Sequence, residues 1–209
     1  MIVITEALSF MLFSTIEAFA WVSLCMAIFR FKTSDYVYQI LLVTLFMNLQ
    51  SFILRNELSL SYLVPVINIL FIAYLFTTIV RVSFIGSLTI SAVGMASFAL
   101  IQWLIAILLF GSMEEAKSSV QDGYLVQLVS AIIVIPLGFL LYKFGYGFSY
   151  DFERFRLKHE RLIVISSILT FLIVVTTVLY LKEIWSVIVL LTVSLMFFLW
   201  YAIKKEREM

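Results

Sequence analysis

The sequence predicts an all-α integral membrane protein with seven transmembrane helices, and three observations carry that reading. Of 209 residues, 64% are hydrophobic and 13% charged, about half the charged share of a soluble domain. Apolar runs of about 20 residues, enough to cross a bilayer as a helix, recur from one end of the chain to the other. These runs are apolar on every face, without the period-two alternation of a membrane β-barrel. Glycine (7) and proline (2) are scarce and no linker-like tract occurs, so a single transmembrane domain over 1–209 is expected. Cys25 is the only cysteine, which excludes an intrachain disulfide and a thiolate metal cluster.

The spans are expected over 5–29, 36–54, 58–80, 84–110, 124–142, 162–181 and 184–203. The first is not a cleavable signal peptide by its flanks. Its only preceding charge is Glu6 and no small-residue cleavage pattern follows, so Met1 is expected to stay. Pro65 and Pro136 lie in the third and fifth spans, where they are expected to kink the helices. The last two spans are separated only by Lys182 and Glu183, and a tight helical hairpin is favoured over one helix of about 40 apolar residues.

Orientation follows from the 14 Lys and Arg residues. With the N-terminus outside, 11 of them fall on cytosolic connections: Arg30, Lys32, Arg81, the five basic residues of 143–161 and the three of the tail. Only Arg55, Lys117 and Lys182 lie outside. Removing the final hairpin would move the tail outside and reduce the bias to eight against six, so seven spans with the C-terminus cytosolic is the self-consistent solution. The tail after Ile203, with Lys204, Lys205 and Arg207 among good helix formers, is expected to extend the last helix by about a turn or two.

Polar side chains inside the spans are the candidates for function. Glu17 sits at the middle of the first span, among Phe10, Phe13, Ser14, Trp21 and Cys25 at one-turn and two-turn offsets. An unpaired charge in lipid is too costly to persist, so Glu17 must be protonated or meet a donor. It reads either as a ligand contact or switch, with Trp21 beside it, or as a structural hydrogen bond. Asn48, Gln50, Asn68 and Gln102 are the other strong intramembrane hydrogen-bonding groups weighed, either as packing glue or, for Asn48, Asn68 and Gln102, as ligand contacts. Depth counting puts Asn68 nearly halfway through its span and Asn48, Gln50 and Gln102 towards the outer leaflet, so a Glu17–Asn68 contact is expected. Ser83, Ser87, Ser91, Gly94 and Ser97 form a small-residue surface for close helix packing.

Outside the membrane, the segment 143–161 interleaves Phe and Tyr with basic residues. It reads either as an aromatic and basic belt at the anionic inner leaflet or as a docking surface for a cytosolic partner, with Tyr146, Tyr150, Arg154, Arg156 and His159 as its contact candidates. A net charge of +1 is too small for a nucleic-acid binder. The KHERL order at His159 matches a kinase phospho-acceptor box only locally, with no Gly-rich phosphate loop to serve it. There is no HExxH motif, no second His for a metal triad and no Lys inside the seventh span for a retinal Schiff base. No enzyme, no metal and no cofactor are expected.

The opening IEAFAWVSLCMAIFRFK, the run YLVPVINILFIAYLFTTIV and the exit WYAIKKEREM together resemble the membrane sensor region of Gram-positive peptide-sensing histidine kinases of the accessory gene regulator type. The likeness covers most of the chain and rests on hydrophobic pattern, span order and the charged exit helix. It implies reception of an extracellular peptide and transmission through the last helix. The chain ends at Met209, six residues after Ile203, so a sensor without the kinase domain is expected, acting alone or with a separate protein. The overall expectation is a non-enzymatic receptor or regulatory protein of the bacterial plasma membrane. It would sense an apolar or peptide-like ligand and signal to a membrane or cytosolic partner, with a second copy of itself as another candidate partner. The alternative is a small transporter or channel subunit with Glu17 lining the path.

Overall fold

The computed structural model describes residues 2–56, 63–148, 162–166, 168–170 and the positions 193, 196, 198 and 200. Helices account for the secondary structure of these residues, with no strand among them. In order they are α1 (Ile2–Ile28), α2 (Val37–Asn56), α3 (Val64–Leu75), α4 (Phe84–Phe110), α5 (Met113–Ala116) and α6 (Val120–Lys143). Four stretches are long and apolar enough to cross a membrane: Ala7–Ile28, Val37–Arg55, Phe84–Phe110 and Val120–Lys143. They correspond to the spans expected over 5–29, 36–54, 84–110 and 124–142. The third expected span is described as helix only from Val64, running through α3 and a π turn, Phe76–Val80, for a shorter apolar stretch. Pro65 stands in the first turn of α3 rather than inside a span, where its missing N–H costs nothing, so it starts the helix instead of kinking it. Pro136 does lie inside α6. The spans expected over 162–181 and 184–203 fall mostly outside the described residues, of which 162–166 and 168–170 are helical. The expected helical extension of the tail lies outside them entirely.

The chain divides into two compact units: Met1–Asn48 with Ile90–Tyr150, and Leu49–Thr89 with Asp151–Met209. In the first, α1 is the most enclosed helix, 56% of its apolar window being buried against 22% and 28% for α4 and α6. The outer faces of α4 and α6 present Leu104, Leu108, Ile132 and Phe139, all more than half exposed, which is the surface a bilayer covers.

Contacts within the first unit fix the helix directions. Gln102 of α4 bonds Glu17 of α1, and Gly94 lies against Cys25, so α4 runs antiparallel to α1. Asn48 of α2 donates to Thr15 at 3.2 Å, after a connection from Phe29 to Tyr36, so α2 also runs antiparallel to α1. Helix α6 runs parallel to α1: Tyr124 stacks on Phe13 at 4.7 Å, and Gly138 reaches Ser23 and Ala27. Small residues make both crossings. A Cβ at Gly94 would collide with the Cys25 sulfur, and one at Gly138 would stand 3.4 Å from the Ser23 carbonyl oxygen. Without side chains at these points, backbones approach closely, the usual device of helix association in lipid.

The far ends of α1 and α6 close in the same way. Past α1, Phe31 N donates to Met26 O at 2.7 Å and Arg30 N to Ala27 O at 3.1 Å around Arg30, which is left-handed at φ 59. Past α6, Tyr146 N donates to Leu141 O and Gly145 N to Tyr142 O around Gly145 at φ 69. Both are Schellman closures that satisfy carbonyls left over at a helix end. Phe148 N then donates to Ile28 O at 2.7 Å, joining the two ends, and a Cβ on Gly147 would sit 2.5 Å from that same oxygen. Lys32 and Asp35 pair at 3.1 Å in the exposed turn after α1, and the hydrogen bond that the Lys32 ammonium donates to Asp35 holds it above its ordinary value.

The second unit packs with large side chains instead. Phe71, Tyr74 and Phe76 are fully buried, and Phe198 meets Phe71 at 5.7 Å and Tyr74 at 5.9 Å. The π turn begins where Thr77 and Thr78 turn their hydroxyls back onto the carbonyls of Ala73 and Tyr74, at 2.9 and 2.6 Å. Hydroxyls bonded to the preceding turn compete with the backbone ladder and bend helices. Arg81 ends this segment in the left-handed region at φ 70.

Candidate functional site

The site is a band of polar groups across α1, α4 and α6. Glu17 stands on α1 one turn past Phe13, and the amide nitrogen of Gln102 donates to its Oε1. The register of α6 brings a third helix to the same depth. Phe13 is level with Tyr124 and Ala27 with Gly138, so Glu17 is level with the stretch about four residues past Tyr124, between Gln127 and Ser130. Ser130 is fully buried, and neither its hydroxyl nor the Gln127 Oε1 has a hydrogen-bond partner among the described residues.

One turn further along α1, Trp21 is buried at 6% exposure. Its indole N–H has no hydrogen-bond partner among the described residues. Ser23 is buried on the α6 side and its hydroxyl is likewise unmatched. Such orphaned donors and acceptors cost about 1 to 3 kcal/mol each when buried. The first unit therefore holds the Glu17–Gln102 pair beside several buried polar groups without a hydrogen-bond partner among the described residues.

The sequence-level candidates separate into groups. Glu17, Trp21 and Gln102 come together in this band, and Asn48 lies in the same unit, bonded to Thr15. Asn68 belongs to the second unit, where its side-chain oxygen accepts from Ser51 at 3.2 Å. The partner shown for Glu17 is Gln102, a group expected towards the outer leaflet. The reason is register: with Gly94 set against Cys25, α4 has already run seven residues, 84–90, before it draws level with the end of α1. That advance lowers Gln102 from the outer leaflet to the depth of Glu17. Gln50 is buried with both amide atoms unmatched among the described residues.

Two groups of the band, Gln127 and Ser130, escaped the sequence reading. The signal was present, since an amide inside the apolar run of α6 is as unusual as Gln102 in α4. On the segment after α6, Tyr146 is 67% exposed beside Phe144 and Phe148, as an interfacial aromatic belt requires. Tyr150, Arg154, Arg156 and His159 lie outside the described residues. The acidic pair Glu114 and Glu115 forms the turn of α5, capped by the Ser112 hydroxyl, which accepts from Glu115 N at 3.1 Å. Among the described residues no group of three or more His, Cys, Asp or Glu is placed to hold a metal ion. The chain matches no protein-family model, no curated protein and no solved structure.

Proposed function

We propose that this chain is a non-enzymatic receptor or regulatory protein of the bacterial plasma membrane that switches through the polar band at Glu17. The observation that carries the reading is the Glu17–Gln102 bond set level with the unmatched Gln127 and Ser130 groups. A band left with spare hydrogen-bonding capacity in an apolar surrounding has two states of different energy, one of them better satisfied, and a ligand that prefers one shifts the balance. The Glu17–Gln102 bond joins α1 and α4, the α6 groups lie at the same depth, and the ends of α1 and α6 are tied through Phe148 and Ile28. A change at Glu17 therefore has a packed route to the segment that follows α6, whose aromatic and basic residues would contact a cytosolic or membrane partner.

In this reading the chain crosses seven times, with the N-terminus outside. Helix directions support the odd crossing in the middle. Helices α2 and α4 both run antiparallel to α1, so the chain between them has to return across the bilayer. Val64–Val80 is the apolar helical segment available to do it, and its 17 residues cover about 25 Å. The charge bias of the flanks then places Arg30, Arg81 and Lys143 on the cytosolic side. A reporter enzyme active only in the cytosol should work when fused within 151–158 or after Met209 and fail between Glu114 and Asp122. The opposite pattern overturns the orientation.

The functional test is copurification from native membranes with the 143–161 segment intact or replaced. A partner that is captured by the intact chain and lost on replacement supports the receptor reading. Ligand-dependent flux in liposomes, abolished by Glu17→Gln, would replace it with a transporter.

A further inference from the structure

We infer that the joined ends of α1 and α6 hold the headgroup of an anionic phospholipid. The inference needs only that these two helices cross a bilayer, and depends neither on the direction of crossing nor on a switch at Glu17. The apolar windows of the two helices finish at Ile28 and Lys143, and the bond from Phe148 N to Ile28 O at 2.7 Å fastens their ends together. Arg30 follows on the same turn as Phe29, whose ring stands 6.1 Å from that of Phe148. The Tyr142 phenol, next to Lys143, is within electrostatic reach of Lys32. Arg30, Lys32 and Lys143 thus stand around one pair of helix ends, at the depth where hydrocarbon gives way to lipid phosphates.

Charge and exposure identify the occupant. Lys32 is held by Asp35 at 3.1 Å, whereas Arg30 and Lys143 are exposed and neither meets an acid among the described residues. Asp35 is the one acid from Ala27 to Tyr38, and none occurs from Gly123 to Phe148. Cations left without an acid suit a phosphodiester, which a guanidinium grips through two parallel hydrogen bonds. Arg30 adopts φ 59, a conformation that glycine serves more cheaply. The bonds that close its turn come from backbone N–H groups alone, so the guanidinium is left for a ligand. Gly147 lets the chain fold back over Ala27 and Ile28, whose carbonyl oxygens a Cβ would meet at 3.0 and 2.5 Å. That return keeps Phe144, Tyr146 and Phe148, each more than 60% exposed, beside the cations. Rings at this depth pack against glycerol and upper acyl chains, whereas a soluble anion would leave them in water.

The test incubates the purified, delipidated full-length protein in detergent with equal amounts of phosphatidylglycerol and phosphatidylcholine and reads the retained lipids by native mass spectrometry. The parent should favour phosphatidylglycerol. Arg30→Gly and Lys143→Gln should each lower that preference roughly fivefold, and the two together should remove it. Because Arg30→Gly relaxes the left-handed turn, it should melt no lower than the parent, which separates loss of the site from loss of folding. Lys117→Gln, on the connection that enters α6 at the end far from Lys143, should leave the preference unchanged. Equal retention of the two lipids by the parent overturns the proposal, as does a preference that survives the double substitution or falls as far with Lys117→Gln. A double variant that keeps its lipid and instead loses a protein captured through 143–161 gives the patch to that partner and overturns it too. Capture from native membranes by the parent decides the receptor reading separately, whichever lipid is retained.

Discussion

The two units are built from helices of similar hydropathy and use opposite packing strategies. In the first, α1 meets α4 and α6 through positions without a side chain, Gly94 and Gly138, and its buried polar groups converge from different helices. In the second, the α3 segment is filled by Phe71, Tyr74 and Phe76, and its hydroxyls turn back on their own helix. Close backbones bring polar side chains from different helices within reach of one another. Bulky aromatics keep backbones apart, and beside them Thr77 and Thr78 bond within their own helix. A switch site is therefore expected where the small residues are, and the aromatic unit is expected to serve stability.

The largest effects should come from breaking each strategy with a single side chain. Tyr74→Ala, which empties the aromatic cluster beside Phe198 and Phe84, should lose about 3 to 5 kcal/mol of stability, read as a fall in thermal melting in detergent. Gly94→Val should lose about 1 to 3 kcal/mol by overpacking against Cys25. Gly123→Val is the control, since a Cβ there meets nothing within 4 Å. If Gly123→Val proved as damaging as Gly94→Val, the small-residue crossing would not be what holds α1 to α4.

Polar substitutions sharpen the comparison at lower cost. Glu17→Gln keeps a hydrogen-bonding shape and should be nearly neutral in melting, while Glu17→Leu orphans Gln102 and should lose about 1 kcal/mol. In the aromatic unit, Ser51→Ala removes a neutral pair with Asn68 and should lose only about 0.6 kcal/mol. A larger loss at Ser51 than at Glu17 would reverse the assignment of the switch.

The smallest effect belongs to the exposed Lys32–Asp35 pair. Because its partner raises the Lys32 ammonium above its ordinary 10.5, the contribution is present below that value and fades only as pH rises past it. Melting of Lys32→Ala should fall below the parent by a small amount that stays constant from pH 6 to 9.

Hydropathy alone was enough to place α1, α2, α4 and α6, and the 84–110 span coincides with α4. What it left open was register, because a run that is apolar all round carries no mark of which residues on two helices share a depth. That information resides in Gly94 and Gly138, whose meaning depends on what they touch. Glu17 stood out as the lone mid-span acid, yet its partner followed from the seven-residue advance of α4 and not from counting within each span. The π turn after α3 escaped notice for a related reason. Thr77 and Thr78 look like ordinary small polar residues until their hydroxyls are seen bonded to the preceding turn.

A double-mutant cycle of Glu17→Leu and Gln102→Leu, scored by melting of the purified protein, tests the Glu17–Gln102 contact most directly. If the two side chains bond across α1 and α4, the losses should be non-additive by about 1 kcal/mol, the second substitution costing little once the first is made. Losses that add to within about 0.3 kcal/mol would show that Glu17 and Gln102 do not interact, and the polar band would have no centre.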